Sequence, residues 1–167
     1  MSVGQPLTLD YTLTGIGNAE RNRRITGSED IAPRVVFTCN PNLPRGKRTI
    51  LAFIDTSCVA PAPKGSIGGD SGINSVRGPG IHQWDMSLFK KFQYGENAQR
   101  YIQLRLEMYN AFNHTQWGMF NSTAQFNATT GQLVNAASPT NRDGFGALTT
   151  ARANSQRIIQ LAGKFYF

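Results

Sequence analysis

Two histidines, two cysteines, one glycine-framed serine and a few alternating charges are the residues of this chain with chemistry to offer. Gly69-Asp70-Ser71-Gly72 has the look of a loop presenting a nucleophilic serine. A serine of that kind takes its base from a histidine, oriented by a carboxylate, and in the chain order this motif belongs to both precede the serine. Here His82 and His114 both follow Ser71, and Ile73 stands where a second glycine belongs, so the motif reads as loop. Cys39 and Cys58 lie too far apart for a Cys-x-x-Cys pair and no histidine cluster accompanies them, so the residues favour neither metal nor redox chemistry. Two readings of the pair stay open: two free thiols, or a disulfide formed in an oxidising compartment, which closes a loop of about 20 residues and contributes about 3 kcal/mol in the chain-entropy model. Asp85, Arg105 and Glu107 offer an acid–base set on paper. Their spacing on alternating segments more plainly makes a cross-strand charge cluster on one polar face. No cofactor motif is present, and the residues imply no catalysis.

The segments that must position these side chains are read from hydrophobic period. Leu7, Leu9, Tyr11 and Leu13 alternate with Thr8, Asp10, Thr12 and Thr14, and Trp84, Met86 and Leu88 alternate with Gln83, Asp85 and Ser87. Ile102, Leu104, Leu106 and Met108 alternate with Gln103, Arg105, Glu107 and Tyr109, and a helix would scatter this apolar set around its circumference. The last run places Ile159, Leu161, Phe165 and Phe167 on one face and Gln160, Lys164 and Tyr166 on the other. Strands are therefore expected near residues 6–14, 82–92, 99–112 and 156–167, with a tight turn around Gly95, Glu96 and Asn97. The stretches 15–81 and 113–155 are polar and rich in Gly, Pro and Asn, and read as long loops. Within the first, Val35–Phe37 and Thr49–Ile54 are expected to pair as a hairpin.

The chain has 167 residues, 40% hydrophobic and 16% charged, with 17 Lys plus Arg against 10 Asp plus Glu and a net charge of +7. That is the length of one ordinary domain, too apolar for a disordered tail and without the run of about 20 apolar residues a membrane-spanning helix needs. The basic residues are dispersed, which argues against a nucleic-acid partner. The first loop carries nine basic against five acidic residues, which suits an anionic surface or a solvated loop equally.

Long and short connections alternate along the chain. That is the asymmetry of an outer-membrane β-barrel, whose periplasmic turns are short and extracellular loops long, and strands of about 9 to 12 residues match the tilted length that crosses a bilayer. The expected fold is all-β: an antiparallel meander of about four long strands, residues 1–167 forming a single partial barrel domain. Ile102, Leu104, Leu106, Met108, Trp84, Met86 and Leu88 would then face lipid, with Asp85, Arg105 and Glu107 inside and aromatic girdles at Phe92, Tyr94 and Tyr101 below and Phe112 and Trp117 above. A soluble, secreted or periplasmic β-sandwich binding module, burying the same apolar rows against a second sheet, satisfies the alternation equally.

Three runs carry a resemblance: Arg77-Gly-Pro-Gly-Ile-His-Gln-Trp-Asp-Met-Ser-Leu-Phe-Lys-Lys-Phe92, Gln103-Leu-Arg-Leu-Glu-Met-Tyr-Asn-Ala-Phe-Asn-His114, and Arg157-Ile-Ile-Gln-Leu-Ala-Gly-Lys-Phe-Tyr-Phe167. Together they resemble the C-terminal end of TonB-dependent receptors, most closely the Oar-like group. The resemblance implies a fragment of a transporter barrel of about 22 strands in the outer membrane of a Gram-negative bacterium. It implies a plug, remaining strands and a TonB-contacting box upstream of this chain, ligand uptake only in the full-length receptor, and outer-membrane lipid as surroundings. By the same likeness Ile159, Leu161, Gly163, Phe165 and Phe167 form the terminal signal read by the barrel-assembly machinery through strand pairing. Met1-Ser-Val-Gly-Gln-Pro6 has no export-signal features, which fits an internal start in a longer reading frame.

Overall fold

A computed structural model describes residues 4–67, 71–96, 99–153 and 155–167. The chain divides into two compact units: a sheet unit from residues 80–117 and 151–167, and a loop unit from residues 4–79 and 118–150.

The sheet unit is built from β6 (Met86–Gln93), β7 (Tyr101–Tyr109) and β9 (Ile158–Tyr166), antiparallel in the order β6-β7-β9. The register sets Met86 opposite Met108, Leu88 opposite Leu106 and Phe92 opposite Ile102, and on the other side of β7 sets Ile159, Leu161, Gly163 and Phe165 opposite Met108, Leu106, Leu104 and Ile102. Directly paired residues share a face, so the apolar sets of all three strands fall on one side of the sheet. These are the three expected strands near 82–92, 99–112 and 156–167. The turn between the first two closes through Tyr94 N to Arg100 O at 3.2 Å, with Gly95 at φ +75°; Asn97 lies outside the described residues.

The expected strand near 6–14 is not a member of this sheet. It is split into β1 (Pro6–Leu7), antiparallel to β5 (Val76–Arg77), and β2 (Asp10–Leu13), which pairs in parallel with β8 (Thr123–Phe126). Period-two alternation names a strand and not its partner. Leu9 and Tyr11 are fully buried, so their face meets a protein core and not a bilayer. The hairpin is also corrected: β3 (Val36–Phe37) pairs with β4 (Val59–Ala60), not with Thr49–Ile54.

The loop unit adds one helix the alternation did not announce, α1 (Asn18–Thr26). Glu20 in its first turn pairs with Arg23 and, at 2.7 Å, with Arg24, and these two contacts hold its carboxyl below the ordinary range. Gly27 ends the helix at φ +81°, its N–H bonded to Arg23 O. On the helix's buried side Arg21 reaches the Tyr11 carbonyl, with its guanidinium 5.3 Å from the Tyr11 ring centre. Tyr11 meets Phe126 edge to face at 5.7 Å, Phe53 stacks on Phe120 at 5.4 Å, and Val35, Ile54, Val76, Phe145 and Leu148 complete the core. Gly146, at φ +87°, lets the chain pass so close that a β-carbon there would sit 2.8 Å from Thr56 Cγ2.

Among the described residues, every buried hydrophobic side chain belongs to the loop unit. The two stretches richest in turns therefore hold most of the core, joined by Leu9 and Tyr11 of the first alternating run, while β6, β7 and β9 hold none of it.

Candidate functional site

The sheet presents two chemically distinct faces. One carries the rows Met86–Met108–Ile159, Leu88–Leu106–Leu161, Lys90–Leu104–Gly163 and Phe92–Ile102–Phe165. Its apolar members on β6 and β9 are exposed, Leu88 at 68%, Leu161 at 76% and Phe165 at 67%, as is Leu104 on β7, while Ile102, Leu106 and Met108 of that central strand are half-buried. A soluble sandwich requires these residues buried; a barrel wall turns them to hydrocarbon. The opposite face carries Ser87–Glu107–Gln160, Phe89–Arg105–Ala162, Lys91–Gln103–Lys164 and Gln93–Tyr101–Tyr166, so that all the charged side chains of the sheet but Lys90 lie on it, together with the exposed Phe89.

The three charged residues expected to cluster are only partly brought together. Arg105 Nε lies 3.1 Å from Glu107 Oε1, so the pair runs along β7 rather than across strands. The register explains this, since Phe89 and Ser87 stand opposite them on β6. Asp85, one residue before β6, instead accepts from Asn110 N–H at 2.9 Å and from the Gln83 amide at 3.0 Å. Asp85 and Glu107 do line one shallow depression with Ser87 and Tyr109. Among the described residues no group of three acidic, histidine or cysteine side chains is arranged to hold a metal ion.

At the end of the sheet from which the long connections leave, two buried polar side chains organise the chain. Asn110 is 1% exposed and adopts φ +48°. Its amide donates to His114 O and Ser155 O, while its oxygen accepts from His114 N–H. Gln116, 2% exposed, accepts from His82 N–H at 2.8 Å and donates to His82 O at 2.6 Å and His114 O at 2.9 Å. Arg152 N–H in turn donates to Gln116 O, and its guanidinium to Trp117 O. One polar network thus ties residues 82–85, 110–117, Arg152 and Ser155 together. The sequence reading missed it; the only signal was the amide-rich Asn110-Ala-Phe-Asn-His-Thr-Gln116 directly after the apolar run. His82 and His114 serve here, their rings 5.6 Å apart, with His82 Nε2 accepting from Trp84 Nε1. Trp84 meets Phe112 edge to face at this level, and at the other end Tyr101 stacks on Tyr166 at 4.3 Å. Aromatics therefore mark both rims.

In the loop unit Cys39 and Cys58 are joined as a disulfide, Cα to Cα 4.8 Å, directly beside the β3–β4 pair. Ser71 is 1% exposed, and its carbonyl accepts from Arg34 Nε. Gly69 and Asp70 lie outside the described residues. The terminal positions Ile159, Leu161, Gly163 and Phe165 all lie in β9, whose far side has no partner strand among the described residues, and Phe167 follows it 97% exposed.

An antiparallel sheet with an exposed apolar face, a charged opposite face, aromatic rims, one tight turn and folded long loops defines the wall of a transmembrane β-barrel. Three strands close no barrel, since single-chain barrels have about eight or more, so this sheet is part of a wall and not a barrel by itself. The sequence matches the outer membrane beta barrel domain family over residues 1–160, and the chain belongs to that family, whose place is the outer membrane. No curated protein and no solved structure matches it.

Proposed function

We propose that this chain is the C-terminal part of a TonB-dependent outer-membrane transporter of the Oar-like type, contributing wall strands and folded extracellular loops to ligand uptake and having no catalytic chemistry of its own. The observation that carries the reading is the inversion of burial: exposed apolar side chains along the sheet's outer strands and a hydrophobic core confined to the loop unit. A loop unit with its own core and a disulfide suits a large solute-facing surface in an oxidising compartment. The likeness of residues 77–92, 103–114 and 157–167 to TonB-dependent receptors supports the finer assignment. In this reading the outer faces of β6, β7 and β9 meet lipid, the assembly machinery pairs with the β9 edge, and TonB acts through a plug-bearing segment elsewhere in the receptor.

The test is to read the genomic DNA upstream of the Met1 codon and then delete the chain from the resulting gene. An in-frame continuation through barrel strands, a plug and a TonB box is the expected result, with loss of TonB-dependent uptake on deletion. A promoter and stop codon immediately upstream would overturn the transporter assignment.

A further inference from the structure

Every side chain in the four outward rows is uncharged except that of Lys90. A lysine on a lipid-facing row is costly at the bilayer midplane and nearly free at the interface. Lys90 lies one row inside the Phe92–Ile102–Phe165 row, on the side of the short turn, which is the periplasmic side of a barrel. Adjacent rows differ by about 7 Å along a strand, or roughly 5 Å in height at barrel tilt, a step the lysine stem spans. The ammonium does take that direction, standing over the Phe92 ring 5.2 Å from its centre. The same row ends in Gly163, above which space is open: a β-carbon there would meet only Leu104 Cδ2, at 3.9 Å. Beside it a shallow groove is lined by Leu88, Lys90, Leu104, Leu106 and Leu161, with Phe89 and Arg105 of the opposite face's rows at its edge.

We propose that Lys90 and this groove bind one phospholipid of the periplasmic leaflet, its phosphate on the ammonium and an acyl chain lying over Leu104 and Gly163. The inference rests on reading the sheet as barrel wall. Charge selects the occupant. A second copy packed on this face would bring two lysines together with no carboxylate in any of these rows to separate them, whereas a phosphodiester supplies the missing negative charge and its tail fills the apolar groove.

The whole outer-membrane protein is folded into vesicles of phosphatidylethanolamine with a minor share of phosphatidylglycerol, released into mild detergent, and its retained phospholipid counted by native mass spectrometry. Wild type and Lys90→Arg are expected to hold a phospholipid. Lys90→Ala should lower the retained fraction about fivefold, and Gly163→Leu, which fills the groove while leaving the charge, should also release it. Lys164→Ala, one position along β9 on the inward face, should retain it. Equal retention by wild type and Lys90→Ala, or a dimer formed through this face, overturns the site. Heat-modifiable migration on gels separates the two failures: absence of a folded band in wild type overturns the barrel reading, and a folded band without retained lipid overturns the lipid site alone.

Discussion

Asp85 accepts a hydrogen bond from the backbone N–H of Asn110 at 2.9 Å, which clamps the start of β6 to the end of β7 at the rim where the loops depart. The same asparagine satisfies carbonyls on His114 and Ser155, so one buried side chain fixes where both ends of the 113–155 connection meet the sheet.

Asn110→Ala leaves buried groups unpaired and puts a β-branched-free but strained residue at φ +48°, a combined cost of about 2–3 kcal/mol. Asn110→Gly keeps the backbone conformation and loses only the hydrogen bonds. Urea unfolding of the protein in vesicles should rank wild type above Gly and Gly above Ala. Faster proteolysis within 113–155 in both variants is expected; equal stability of all three would remove Asn110 from this role.

Reducing the Cys39–Cys58 bridge should weaken the loop unit without touching the sheet, because the bridge closes a 19-residue separation wholly within the loops. The expected loss is about 3 kcal/mol. Intact mass after alkylation without reductant should show no labelled thiol in exported protein. Proteolysis with reductant should then cut near residues 39–58 first, while the heat-modifiable band persists. Two labelled thiols in exported protein would contradict the assignment.

Burial raises the Tyr11 phenol above its ordinary value, with the nearby Arg21 charge offsetting part of the rise. The folded state therefore holds this proton more tightly than the unfolded chain, in which tyrosine ionises near pH 10. The contribution is complete below about pH 10 and is lost as pH rises from there through the higher folded value. Loop-unit stability, followed by protease resistance, should fall above about pH 10 in wild type and fall less steeply in Tyr11→Phe. Parallel pH profiles for the two would show that Tyr11 is not the group responsible.

Removing Phe167 from the full-length protein should slow assembly into the outer membrane while leaving the loop unit's disulfide intact, since the terminus extends the β9 edge, which has no partner strand among the described residues. Pulse-chase conversion to the heat-modifiable form measures this. An unchanged rate would deny the terminus a part in recognition.

The outward rows of β6, β7 and β9 were legible because side-chain period is a local property and each run is long enough to display it. The turn at Gly95 was legible for the same reason. Residues 6–14 alternate just as well, yet Asp10–Leu13 pairs with Thr123–Phe126 more than a hundred positions away, and nothing in a local period selects so distant a partner. The loop core was hidden because its aromatics, Phe53, Phe120, Phe126 and Phe145, are sparse and follow no period. Arg105 and Glu107 share one face of β7, but which charge meets which depends on register, and a strand pattern read alone leaves register free.

Alternating solvent exposure along β7 is the most direct measure of the central claim. Single nitroxide labels are placed at positions 102, 104, 106 and 108 and at 103, 105 and 107 in the protein folded into vesicles, and each is relaxed by oxygen, which partitions into lipid, and by a water-soluble nickel chelate. The even positions should respond to oxygen and be shielded from the chelate, with the odd positions less lipid-exposed, in a strict period of two. Chelate access at the even positions equal to that at the odd ones would contradict the account, because those side chains would then face water.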